Sequence, residues 1–231
     1  MNAKDKDYVV IVAGGKGTRM GTATPKQFLP VGGCPVLMRT IERFVEYDSA
    51  IGIVVVLPRD QQDYWRGLCR SYGFTVAHTV VDGGATRFES SRNGISAIPD
   101  GVQGVVAIHD GVRPFVSVDT IRRCFDAARR SGAAIPVLPV TDTLRFVAPG
   151  QQPHNVQRSD YRTVQTPQTF TVTLAKAAFD RPYDPAFTDD ASVVEAYGHA
   201  VEMVGGNAEN IKLTNQFDLD VAGLIARTQT V

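Results

Sequence analysis

The chain has 231 residues, 43% of them hydrophobic and 21% charged, and its 24 basic and 24 acidic side chains cancel. That composition excludes a disordered or collagen-like chain, and zero net charge leaves no global field for nucleic acid or a membrane surface. The length suits one sizeable domain over 1–231, so any phosphate partner has to be held by local charge.

The opening "MNAKDKDYVV" has charge but no apolar core of a signal peptide, and no run reaches the ~18 apolar residues of a membrane helix. Cys34, Cys69 and Cys124 are odd in number, widely spaced and without a CxxC pair. A disulfide framework or a structural zinc site is therefore not expected, and a reducing cytoplasm is.

"YVVIVA" (Tyr8–Ala13) reads as a buried strand, after which Val36, Leu37, Ile41, Phe44 and Val45 recur at helical spacing. "IGIVVVLP" is a second apolar strand, followed by a polar helix over Asp60–Tyr72 and a third strand, "FTVAHTVV". Thr86 to Ile98 reads as a helix and "GVVAIHD" as a buried strand. Ser117 can cap a helix with Val118, Ile121, Phe125 and Ala128 on one face, and "AAIPVLPV" follows as a strand. Continuous apolar strands between amphipathic helices predict an α/β fold, a Rossmann-like, mostly parallel sheet with helices on both faces.

One segment breaks this rhythm. From Thr141 to about Thr163 apolar and polar residues alternate around Pro149-Gly150, which predicts a protruding β-hairpin arm. A two-stranded arm is marginal alone in water, so it is expected to pack on a second subunit and make a homodimer.

The glycine-rich stretch after the first strand, "IVAGGKGTRMGTATPKQF", is a phosphate-binding candidate, because backbone N–H groups can approach oxygens where no Cβ intervenes. It is not a P-loop, since Lys16 is followed by Gly17, nor a dinucleotide fingerprint, since Met20 stands where the third glycine belongs. That absence also argues against an NAD-dependent dehydrogenase. What remains is Gly14-Gly15-x-Gly17-Thr18-Arg19, then Pro25-Lys26, two cations seven positions apart that can converge on one anion. Attack on an α-phosphate builds charge on non-bridging oxygens, and fixed cations stabilise that transition state.

"AGGKGTRMG…PKQFLP" resembles the signature of the sugar-phosphate nucleotidylyltransferases. "VDGGATRFESSRNGI", "HDGVRPF", "TDTL", "QTPQ", "TDDASVVEAYG" and "ENIKLTNQFDL" follow in order, and together they resemble the 2-C-methyl-D-erythritol 4-phosphate cytidylyltransferases of the non-mevalonate isoprenoid pathway. The resemblance spans about Tyr8 to Ala226. It implies transfer of CMP from CTP to methylerythritol phosphate with Mg²⁺. The enzyme that uses ribitol 5-phosphate instead is the alternative; a nucleotide sensor without catalysis would not need a substrate-phosphate clamp.

By resemblance, Arg19 and Lys26 stabilise the transition state, and the loop with Ala13, Gly14, Gly15, Gly17 and Thr18 wraps the triphosphate. Gly84, Ala85 and Ser90 match the segment that reads cytosine; Ala85 stands where the family often has an acidic residue, which leaves a backbone contact there. Asp110, just past the carboxyl end of a strand, is the expected magnesium and α-phosphate residue, with Arg113 ordering that loop or the substrate. His109 reads as a packed strand-end residue. Arg158 on the returning strand of the arm and Lys212 in an apolar-flanked strand are implied to hold the substrate phosphate. Thr143 on the outgoing strand is implied to reach the partner's site. Thr166 and Gln168 are placed at the base of the arm. Thr188-Asp189-Asp190 supports two readings, a helix cap or a substrate contact through Thr188.

Overall fold

The structure, a computed structural model, describes residues 5–14 and 24–228. In chain order its elements are β1 (Tyr8–Val12), β2 (Pro30–Val31), β3 (Cys34–Pro35), α1 (Val36–Tyr47), β4 (Gly52–Leu57), α2 (Gln62–Ser71) and β5 (Thr79–Asp82). Then come α3 (Arg87–Ser96), β6 (Val105–Asp110), α4 (Val118–Ser131), β7 (Ala133–Pro139), β8 (Arg145–Phe146), β9 (His154–Asn155) and β10 (Arg162–Val164). The chain continues through β11 (Gln168–Thr171), α5 (Val172–Phe179), α6 (Asp190–Ala196), β12 (Glu202–Gly205) and α7 (Gln216–Thr228).

Among the described residues the main sheet has eight strands, with β5, β4, β1 and β6 running parallel in that order. β11 pairs antiparallel to both β6 and β7, β10 pairs antiparallel to β7, and β12 runs parallel to β7. Both faces are covered, which is why the central strands β1 and β4 are apolar along their length rather than at alternate positions. Val9, Ile11, Val55 and Ala107 pack with α1, α2 and α4 on one side. Val10, Val54, Val56, Val106 and Ile108 pack with α3, α5 and α6 on the other. A third cluster, Val31, Val36, Val112, Phe115 and Leu213 with Ala222 and Ala226 of α7, backs the carboxyl side of the sheet.

The register decides where that side lies. Val12 is level with Val56 and with Asp110, and Leu57 is level with Asp82. The chain after β1, the turn after β5 and the end of β6 therefore come together, as open α/β sheets arrange their ligand sites.

Four sequence expectations about the elements need correction. The strand read in "FTVAHTVV" is only Thr79–Asp82, because Phe74 and His78 instead gather around Trp65, whose indole N–H donates to His78 Nε2 at 3.0 Å. The arm's own ladder is two residues long on each side, β8 with β9, while Arg162–Val164 belongs to the main sheet through β7. Arg158 sits in a 3₁₀ turn and Thr143 precedes β8, so neither is on a strand of the arm. Lys212 is not in a strand either; the segment is tied to the fold by Leu213 N–H donating to Val112 O at 3.0 Å.

Candidate active site

The turn after β5 is built by α3. Thr86 caps that helix: its hydroxyl accepts from Glu89 N–H at 3.1 Å, and the Glu89 carboxylate accepts from Thr86 N–H at 2.9 Å. Ser90, one turn in, accepts from Gly84 N–H at 3.0 Å and donates to Thr86 O at 2.9 Å. Its hydroxyl thus shapes the Gly84 turn. A Cβ on Gly84 would lie 2.2 Å from Glu89 Cβ, so only glycine fits against the cap. Among the described residues a Cβ on Gly14 would meet Ser90 Oγ alone, at 4.0 Å, and Gly14 lines the cleft.

Asp110 is the last residue of β6 rather than just past it, and it is 5% exposed. Three cations surround its carboxylate: Arg87 NH1 donates to Oδ1 at 2.8 Å, and Lys212 Nζ and Arg113 Nε reach Oδ2 at 3.0 and 3.2 Å. Burial alone would raise its pKa, but Arg87, Lys212 and Arg113 together hold it well below the usual carboxylate range. Arg113 also donates to Asn210 O at 2.7 Å, which ties the Asp110 loop to the segment carrying Lys212.

Behind the strand end lies a closed hydrogen-bond chain. Thr166 Oγ1 accepts from Asp110 N–H at 3.1 Å and meets His109 Nδ1 at 3.0 Å, while His109 Nε2 faces Arg113 O at 3.1 Å. A carbonyl only accepts, so the imidazole proton is on Nε2, and Nδ1 accepts from the Thr166 hydroxyl. Burial pushes the His109 pKa down to about 4. His109 is a neutral, satisfied packing residue, as expected. Thr166 and Gln168 are not the base of the arm: Thr166 fixes Asp110, and Gln168 clamps the start of α6 through Ala191 N–H and Asp189, at 2.7 and 2.8 Å.

The resulting cleft, about 330 Å³, is lined among the described residues by Ala13, Gly14, Lys26, Gln27, Gly84, Ala85, Thr86, Arg87, Ser90, Asp110, Val112 and Lys212. The described lining offers three cationic side chains, Lys26, Arg87 and Lys212, to one carboxylate, Asp110, and suits a polyanion. Among the described residues no group of three or more His, Cys, Asp or Glu side chains comes together. A lone carboxylate does suit magnesium, which takes one or two carboxylates and completes its shell with water and phosphate oxygens.

The fold thus gathers Ala13, Gly14, Lys26, Gly84, Ala85, Ser90, Asp110 and Lys212, with Arg113 on Asp110 from behind. Gly15, Gly17, Thr18 and Arg19 lie outside the described residues. Thr143, Arg158 and Thr188 do not line the cleft of their own chain. Arg158 donates instead to Thr141 O, and Asp189 rather than Thr188 caps α6. Arg87 is the charged residue of the described cleft lining that sequence reasoning missed. It occupies the first position of a helix, where the macrodipole disfavours a cation, and that misfit is the signal that an acidic partner is near.

Residues 8–228 match the family model described as 2-C-methyl-D-erythritol 4-phosphate cytidylyltransferase. The chain is 54% identical over 219 residues to the protein of that name from Phocaeicola vulgatus, covering 94% of this chain and 98% of that one. Its fold is similar to the crystal structure of 4-diphosphocytidyl-2C-methyl-D-erythritol synthase from Anaerococcus prevotii, with a TM-score of 0.82, 26% identity and 97% of each chain covered. It is also similar to the cytidylyltransferase structure from Thermus thermophilus, with a TM-score of 0.74, 32% identity, and 96% and 99% covered.

Proposed function

The chain belongs to the 2-C-methyl-D-erythritol 4-phosphate cytidylyltransferase family, and on that premise we propose which of its residues carry the transfer of CMP from CTP to 2-C-methyl-D-erythritol 4-phosphate. The observation that supports the assignment most strongly is the cationic cleft around Asp110, at the level carboxyl ends of β1, β4 and β6.

The triphosphate lies along Ala13 and Gly14, with Lys26 on the α-phosphate side, and the Gly84–Ala85 backbone reads cytosine from a turn that Ser90 holds. Of the cations on Asp110, Lys212 is the most exposed, with 43% of its side chain accessible against 32% for Arg87 and 12% for Arg113. It is the one free to turn towards the attacking phosphate. An oxygen of that phosphate forms the new bond to the α-phosphorus, the bond to the β-phosphate oxygen breaks in line, and pyrophosphate leaves with the electron pair. The nucleophile is already ionised, so no general base is needed; among the described residues the cleft lining has no histidine, and His109 behind it is buried and neutral. Positioning and charge neutralisation by Lys26, Arg87 and Lys212 do the rest. The family depends on a divalent metal. Asp110 is the residue that would hold Mg²⁺, which when bound neutralises phosphate charge.

We further propose a homodimer through the arm. Phe146, Val147, Tyr161 and Val164 leave 39%, 72%, 44% and 41% of their surface exposed on or beside a ladder too short to stand alone. A second subunit covering them would bring Arg158 and Thr143 to the partner's cleft, where Arg158 completes the phosphate clamp with Lys212. No helix of the described residues is long and apolar enough to cross a membrane. With Cys34, Cys69 and Cys124 all unpaired, the cytoplasm is the compartment proposed.

Pyrophosphate release from CTP and Mg²⁺, measured with methylerythritol phosphate and with ribitol 5-phosphate in parallel, tests the reading. Faster turnover with methylerythritol phosphate is expected; the opposite order would reassign the acceptor.

A further inference from the structure

Arg87 does not hold Asp110 unaided. Its other terminal nitrogen donates to Oδ2 of Asp190, a residue 1% exposed at the first position of α6. Ser91, one turn along α3, donates to the remaining oxygen of that carboxylate, Oδ1, at 2.6 Å. Burial pushes the Asp190 carboxyl up, with Arg87 and Ser91 pulling against it, and burial likewise opposes the charge on Arg87, which Asp190 and then Asp110 sustain above the ordinary arginine value. Asp190 is itself anchored. Asp189 caps α6 by accepting from Ser192 N–H at 2.9 Å, and Gln168 grips Asp189 and Ala191 from the start of β11. One continuous set of contacts runs from β11 through α6 and Asp190 to the guanidinium and on to Asp110.

A planar fork held between two carboxylates has one orientation, whereas a fork on one carboxylate has several. We propose that Asp190 is a positioning residue for nucleotide binding: it fixes the Arg87 guanidinium, and through it the Asp110 carboxylate, in the geometry that the triphosphate and its metal meet. Asp190 itself stays out of the cleft. This deepens the reading of the cleft as the CTP site and rests on it.

Asp190→Asn retains the shape and an acceptor for Ser91, but turns an amide N–H₂ towards the Arg87 donor. Isothermal titration of CTP with Mg²⁺, together with steady-state kinetics, reads the result. The expected outcome is a cooperative melt, a Kd and KM for CTP raised about tenfold to a hundredfold, and a KM for methylerythritol phosphate within twofold of wild type. A merely structural lesion would lower kcat or shift both KM values together. In an Arg87→Ala background, Asp190→Asn is expected to weaken CTP binding no further, because both changes remove one linkage. If Asp190→Asn does not melt cooperatively, Ser91→Ala is read the same way, with CTP binding expected to weaken about threefold to tenfold. A folded Asp190→Asn protein, or failing that Ser91→Ala, with wild-type CTP affinity overturns the role of Asp190, as does a full additional loss in the Arg87→Ala background. Absence of CTP binding by the wild-type protein would instead overturn the reading of the cleft.

Discussion

The cleft and the arm are built on opposite terms. At the cleft the groups around Asp110 are answered within the chain: Asp110 by three cations, Arg87 by two carboxylates, Ser90 by two backbone groups. The arm has a two-rung ladder, and four apolar side chains on or beside it, Phe146, Val147, Tyr161 and Val164, stay partly exposed. One region is preorganised before any ligand arrives, and the other leaves apolar surface open. With the proposed dimer, the difference separates what a single chain fixes, the electrophile's side of the reaction, from what two chains would fix together.

Changes at the cleft are accordingly expected to act on chemistry and stability, and changes on the arm on the acceptor alone. The largest effect is expected from Lys26→Ala, which should lower kcat by about 10² to 10³, the range for removing one preorganised charge stabiliser. A kcat equal to wild type in a single-turnover assay would remove Lys26 from the α-phosphate.

Acid should destabilise the fold through His109. His109 is held neutral with a pKa of about 4, below the ordinary value of 6.5, so the unfolded chain takes up a proton that the folded chain refuses. Stability from this group is complete above about pH 6.5 and is lost as pH falls towards 4, on the order of 3 kcal/mol in all. Denaturant melts at pH 7, 5.5 and 4.5 check this, and His109→Gln should flatten the dependence. Unchanged midpoints across that range would mean that His109 is not buried as described.

Gly84→Ala comes next. Its Cβ would lie 2.2 Å from Glu89 Cβ, so the turn or the cap must shift, at a cost of about 1–3 kcal/mol in stability together with weaker CTP binding. An unaltered Tm with unaltered CTP affinity would show that the turn is not rigid.

Much of this was legible in the sequence, and the limits have physical causes. Both-faces-apolar strands announced the buried sheet, and α3 was read as a helix beginning at Thr86, without the cap that Thr86 and Glu89 form. Lys26, Gly84, Asp110 and Lys212 were found by motif and are joined in one cleft. Asp190 was readable only as part of a helix cap, since nothing local distinguishes a solvated first-turn aspartate from one that anchors an arginine 103 positions away. Thr166 was misread for the same reason: its partners, His109 and the Asp110 amide, lie across β11 and β6. The arm's alternation was seen, but how far its ladder runs depends on pairing that periodicity does not specify.

The smallest effect is expected on the arm. Arg158→Ala should raise the KM for methylerythritol phosphate about tenfold while leaving CTP affinity within error, the loss of one charge-assisted contact. Equal weakening of both ligands in isothermal titration would erase the contrast between the two regions.

The most direct measurement is a crystal structure of the protein with CTP and Mg²⁺. The account predicts the triphosphate between Gly14, Lys26 and the Asp110 carboxylate, cytosine against the Gly84–Ala85 backbone, and Arg87 still bridging Asp110 and Asp190. A nucleotide bound away from Lys26 and Asp110 would contradict it.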